Sequence, residues 1–316
     1  MNFTTKVPID KYQNPIDYSS KIVSIGSCFA ENMQEKFSYF KFQITTNPFG
    51  IIFNPVSIEK VISRIVLQEL YLEKDIFFHN ERWHCHEVHS DTSNENKEEF
   101  LQHLNDILHS TQERITNASH IIITFGTSWV YRNKTSHEVV ANCHKMPQIQ
   151  FDKEILSIEI IEKSILNTIG LIQKINANCH FIFTISPVRH LKDGFIENQR
   201  SKAHLISAIH NLQLAILNSH YFPSYEIMMD ELRDYRFYCQ DMLHPNQIAI
   251  DYIWINFFEN YISSNDFKIM EEVCSIQKAL SHRAFNVNSI NHQTFLKTID
   301  IKIIKLQEKY PFMLFN

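Results

Sequence analysis

Two nucleophile-capable side chains, Ser27 and Cys28, stand side by side after the apolar run KIVSI (21–25) and Gly26. A hydroxyl or thiol in that position could attack an acyl carbon once a base removes its proton. Far along the chain, Asp241 and His244, two groups able to move protons, lie three residues apart just before Pro245. A residue before proline avoids helical angles, which puts His244 on a loop, and loops carry function more often than packing. A third group of chemically capable residues is WHCHEVHSD (83–91). In a strand His84 and His86 would share a face, and His89 and Asp91 are near enough to complete a zinc site. The chain carries 17 histidines, however, so two half-exposed histidines on a hairpin are the ordinary reading and no metal is expected.

The elements that must position these groups alternate between short β-branched runs and amphipathic stretches. Lys21–Ile25, Lys41–Ile44, His120–Phe125, His180–Ile185 and Ser224–Met228 read as strands. Between them, helical spacing is expected over Phe29–Phe40, over Ser57–Leu70 with Ser57 as cap, around Phe100–Leu108, over Ile158–Ile175 and over Glu197–Asn218. Pro245 is expected to open a last core helix to about Ile262, and Ile76–Val88 to form a hairpin turning at Asn80. Strands separated by helices imply parallel pairing through right-handed crossovers. The expected fold is a three-layer, doubly wound, mainly parallel α/β sheet of five strands over residues 1–262, with a helical extension over 263–316.

Ligands of such sheets bind beyond the carboxyl ends of the strands. The loops there read GSC (26–28), NPFG (47–50), GTSW (126–129), SPVRH (186–190) and DMLH (241–244). The chain has only 5 glycines, yet Gly26, Gly50 and Gly126 each follow one of the first three expected strands. Glycine there frees a backbone N–H to approach a developing oxyanion, or simply allows a tight turn. Cys28 falls at an expected helix N-terminus, which favours a thiolate. The competing reading makes Cys28 a small buried residue and Ser27 a helix cap.

Composition narrows the function class. Net charge is −5, and no basic patch interleaved with aromatics suggests nucleic acid. No run approaches the roughly 18 apolar residues of a spanning helix, and no apolar core of signal-peptide length opens the chain, so a soluble cytoplasmic protein without a membrane partner is expected. The 6 cysteines contain no C-x-x-C pair, so reduced, scattered thiols are expected.

The blocks GSCFA (26–30), GTSWVYR (126–132), VVANCHKMP (139–147), SPVRHLKDG (186–194), YFPSYEIMMDELRDYRFY (221–238) and DMLHP (241–245) resemble the GSCFA family. That family is in turn distantly similar to the SGNH, or GDSL-like, hydrolases. The second resemblance implies a nucleophile in the loop after the first strand and an oxyanion hole built from a glycine N–H and an asparagine side chain after the next two. It also implies an Asp and a His in a D-x-x-H motif, and no cofactor. Asp241 and His244 match that motif, and Gly50 matches the glycine. Cys28 falls where the serine would be, Ser27 where the aspartate would be, and Ser128 where the asparagine would be.

The resemblance therefore implies an esterase or acyltransferase acting on an acylated carbohydrate or another small ester, with Cys28 or Ser27 as nucleophile, His244 as base and Asp241 orienting it. Gly50, Gly126, Ser128, Asn142 and the Cys28 N–H are candidate oxyanion donors. His144, Lys145, Arg189 and His190 are candidate substrate contacts. The departures at 27, 28 and 128 also fit a non-catalytic binding or scaffold protein. Oligomeric state is not legible in the sequence.

Overall fold

Runs such as HIIITF and HFIFTI are apolar on both faces, so their strands must be covered from both sides. The computed structural model describes residues 5–213, 218–282, 285–286 and 289–315. In chain order its elements are β1 (Lys21–Gly26), α1 (Cys28–Tyr39), β2 (Gln43–Thr46), α2 (Pro55–Leu67), β3 (Phe77–His79), β4 (Arg82–His84), α3 (Lys97–Thr116) and β5 (His120–Phe125). There follow β6 (Trp129–Asn133), β7 (Val139–Val140), β8 (Phe151–Ile155), α4 (Ile158–Ile175), β9 (His180–Ile185), α5 (Phe195–Gln213) and β10 (Ser219–Phe222). The chain closes with α6 (Ser224–Glu226), α7 (Gln247–Tyr261), α8 (Phe267–Leu280) and α9 (Ile290–Lys309).

The central sheet has five parallel strands in the order β10-β9-β5-β1-β2, the flavodoxin-like doubly wound order. The α/β three-layer expectation holds. Strand alternation sorts the two cores. Val23, Ile25, Ile121, Ile123, Phe181 and Phe183 face α2, α3, α4 and α5. Ile22, Ile122, Ile182 and Phe222 face α1, α7, α8 and α9. The expected helical extension is present in the described residues as α8 and α9, whose Met270, Val273, Ile276, Ile299 and Leu306 share a core with Phe29, Met33 and Phe37 of α1. Tyr39 at the end of α1 meets it directly, the hydroxyl 3.6 Å from Cys274 Sγ and the carbonyl accepting from Gln277 Nε2 at 3.1 Å.

The hairpin β3–β4 turns through Asn80 and Glu81, both with positive φ (46° and 61°), as two-residue hairpin turns require. Several expectations shift. Ser224–Met228 is not a strand: it forms α6 and the first residues of a π-helical turn (Ile227–Glu231), and the strand is β10, which begins five residues earlier. Ser57 does not cap α2; Asn54 does, its side chain accepting from the Ser57 N–H, and Pro55 takes the first helical position. Pro245 precedes the cap of α7, which is Asn246. The second strand begins at Gln43 rather than Lys41, and the helix expected to Asn218 is described to Gln213, residues 214–217 lying outside the described residues. The small antiparallel sheet β7-β6-β8 was not expected at all.

Candidate active site

At the tip of β1 the chain turns sharply into α1. The Gly26 N–H donates to Asn47 Oδ1 (2.8 Å) and the Ser27 N–H to Thr124 O (3.1 Å). A Cβ on Gly26 would lie 2.2 Å from Thr124 O, so no side chain fits there. Ser27 is buried, and its hydroxyl accepts from the Phe29 N–H at 3.3 Å as the cap of α1. That is a structural assignment for Ser27. Cys28 is the first residue of α1 and half-buried.

The sulfur of Cys28 faces the N–H groups of Cys28 and Phe29, and Lys202 lies within its electrostatic reach. These favour the thiolate, as expected from the helix N-terminus. They do not prevail: burial, aided by Glu31 one turn into the same helix, pushes the thiol above its ordinary value. The resting group is a thiol and needs a base.

Asp241 and His244 form one unit. His244 Nδ1–H donates to Asp241 Oδ2 at 2.6 Å, while Asp241 Oδ1 accepts the Leu243 and His244 N–H groups at 2.9 and 3.0 Å. Those two amides and then the imidazole hold the carboxyl down at about 2. With Nδ1 so engaged, Nε2 is the nitrogen left to accept a proton. The Arg189 N–H clips the loop after β9 to Leu243 O (3.1 Å), and the Arg189 guanidinium stacks 4.1 Å from the Tyr238 ring. Arg189 thus anchors the DMLH loop.

His190, the next residue, is held through its N–H by Asn198 Oδ1 (2.9 Å), and its ring lies 5.5 Å from Phe53. Its Nε2 is shielded from solvent and has no partner among the described residues. Burial first, then Lys202 and His244, pull the imidazole down to about 3, so the ring is neutral. Cys28, Lys202, His190 and His244 are therefore electrostatic neighbours in series. Among the described residues no hydrogen bond joins Cys28 to His244.

Of the expected oxyanion donors, Gly50, Gly126 and Ser128 are engaged within the protein. The Gly50 N–H closes a turn onto Asn47 O (2.7 Å), and a Cβ at Gly50 would sit 2.3 Å from His89 Cβ. The Gly126 N–H donates to Phe53 O at 2.8 Å. Ser128 is fully buried: its N–H donates to Ser201 Oγ (2.8 Å) and its hydroxyl to Ser201 O (3.2 Å), locking the loop to α5. Asn142 accepts the His144 N–H at 2.7 Å in a local turn. His144 is buried, its Nε2 bonded to Cys85 O (2.7 Å) and its Nδ1 to Ser90 Oγ (3.2 Å). With Lys145 it forms two consecutive positive-φ residues, 50° and 59°. Gly50 and Asn142 find these partners within their own loops, whereas Gly126, Ser128 and His144 find them on segments distant in sequence. The histidines 84, 86 and 89 show no metal-holding grouping among the described residues.

Sequence reading missed Lys202. It lies on α5 and is buried, with Nζ donating to Gly126 O (2.6 Å) and Ser186 O (2.7 Å). Its spacing from Asn198, Leu205, Ile209 and Leu212, all buried, was the available signal.

A family model described as the GSCFA family matches residues 21–257. The chain belongs to the GSCFA family. A second model, described as the GSCFA domain protein, C-terminal domain, matches residues 273–316 and so covers most of the helical tail of this GSCFA protein. No curated protein matches the chain. Among its described residues, no helix is long and apolar enough to cross a membrane.

Proposed function

We propose that this GSCFA protein is an SGNH-like hydrolase or acyltransferase that acts on a small ester, with an acylated carbohydrate as one candidate. Cys28 is its nucleophile. The observation that carries the reading is the Asp241–His244 pair, held at 2.6 Å on a loop tied by Arg189 to the chain leaving β9. Asp241 fixes the imidazole tautomer, and His244 Nε2 takes the proton of the Cys28 thiol. The sulfur attacks the acyl carbon, and the carbonyl electron pair moves to oxygen beside the Cys28 N–H at the start of α1. Collapse expels the alcohol, which takes the proton back from His244, and leaves a thioester. Water, or an acceptor hydroxyl, then repeats the sequence in reverse.

Hydrolysis of a series of p-nitrophenyl esters by the wild type, Cys28→Ala, Ser27→Ala and His244→Ala tests the reading. Activity is expected in the wild type and Ser27→Ala, and not in the other two. Full activity in Cys28→Ala would overturn the nucleophile assignment. Wild-type protein inert across the series would favour the second reading, a non-catalytic binding protein. That reading draws on the engaged N–H groups of Gly50 and Gly126 and the buried Ser128.

A further inference from the structure

Lys202 is a buried amine with no carboxylate within ion-pair distance among the described residues, a costly placement that a methionine of similar volume would avoid. Two of its three N–H bonds go to the carbonyls of Gly126 and Ser186, which follow the adjacent strands β5 and β9. Cys28 follows β1, the neighbour of β5 on its other side. The clamp by two carbonyls fixes where Nζ points, and the Tyr225 ring lies 5.4 Å from it. The acids that act on Lys202 are Cys28 and Glu226, and Glu226 already accepts the Tyr221 hydroxyl at 2.8 Å. Negative charge created on demand at Cys28 is the countercharge this arrangement lacks.

We infer that Lys202 is the positioning residue that makes Cys28 ionisable, a buried amine fixed at the carboxyl ends of β5 and β9. The inference rests on the proposed role of Cys28. In the resting state burial pulls the amine down to about 7, with Cys28 and then Glu226 opposing that fall, while burial and Glu31 hold the thiol up. When the thiol proton moves to His244, the sulfur gains a negative charge and Lys202 gains its counter-ion. The negative sulfur in turn favours the charged form of the amine. His190, neutral and within electrostatic reach of both Lys202 and His244, adds no competing charge.

The test is the pH dependence of Cys28 alkylation by iodoacetamide, followed peptide by peptide in the full chain. The wild type, Lys202→Met and Lys202→Arg are compared, with near-ultraviolet dichroism as the check on folding. Lys202→Met is expected to move the midpoint for Cys28 upward by about one pH unit, roughly tenfold slower labelling below the midpoint. Lys202→Arg is expected to restore part of the loss, and the other five cysteines to keep their rates. An unchanged Cys28 profile in folded Lys202→Met overturns the inference.

Should that variant not fold, 15N NMR titration of the Lys202 ammonium in wild type and Cys28→Ala decides. The titration is expected to fall to lower pH once the thiol is gone, and an unmoved titration overturns the inference. The ester assay separates the two readings. A wild type inert to esters but showing the alkylation shift removes the hydrolase and leaves the charge pair. Turnover with an unshifted profile does the reverse.

Discussion

Two groups of histidines in this chain have opposite surroundings. His84, His86 and His144 pack together, with ring centroids 4.6 Å apart for 84 and 144 and 5.9 Å for 86 and 144. Their ring nitrogens meet backbone carbonyls and hydroxyls: His79 O and Ser93 Oγ for His84, Asn142 O for His86, Cys85 O and Ser90 Oγ for His144. Burial lowers all three, His144 to about 4. His244, by contrast, is 45% exposed at its side chain and bonded through one nitrogen to a carboxylate. The first group joins the hairpin to the loop after β7; the second has a nitrogen to spare. Histidine density follows packing here, and the proposed base is instead the histidine with an unspent nitrogen beside an orienting carboxylate.

The sharpest way to break this contrast is a pair of substitutions. His244→Ala is expected to lower kcat/KM for ester hydrolysis by about 10²–10⁴-fold with little change in melting temperature. His144→Ala is expected to do the opposite, costing about 1–3 kcal/mol of stability through its lost buried hydrogen bonds and leaving the rate per folded molecule intact. Urea denaturation and steady-state kinetics on both variants would reveal an exchange of these roles.

Asp241→Asn comes next. It keeps the loop but removes the acceptor charge that fixes the tautomer, and a loss of turnover without loss of fold is expected, checked by kinetics together with imidazole NMR. The third difference lies in pH. The native values of the clustered histidines fall below an unfolded value of about 6.5. The unfolded chain therefore binds more protons below that pH, and their contribution to stability, full above it, is lost as pH falls toward about 4. Denaturation midpoints at pH 7.5 and 5 should differ, and His144→Gln should shrink the difference. Asp241 runs at another range: its carboxyl is held at about 2, so a carboxyl NMR titration should show it ionised throughout that window.

How much of this was legible depended on how strongly each segment declared itself. His120–Phe125, His180–Ile185 and Ile158–Ile175 carry long apolar patterns, and their limits were read correctly. β10 was misplaced because SHYF, an edge strand with two polar residues, looks weaker than SYEIM next to it. In SYEIM the Ser224 hydroxyl bonds to Ile185 O (2.7 Å) and the chain coils after Pro223. β6 and β8 hide because WVYRN and FDKEI mix charge with apolar residues in short runs. At the site, the Asp241–His244 spacing was readable because its bond is local. The fates of Gly50, Gly126 and Ser128 were not, since their partners at Asn47, Phe53 and Ser201 are fixed by loop geometry or tertiary packing. Lys202 escaped because a lysine on a helix reads as solvated until its neighbours on the stripe are seen to be buried.

The helix that begins at Cys28 is 12 residues long, about 18 Å, and its far end is gripped by α8 through Tyr39, Cys274 and Gln277. It is therefore a strut with the proposed nucleophile at one end and the C-terminal tail bolted to the other. Stiffness at the sulfur is borrowed from residues more than 230 positions downstream. Truncating the tail would strip cover from the cluster that Phe29, Met33 and Phe37 share with it. The placement of the proposed nucleophile is thus tied to the far end of the chain through the helix that carries it.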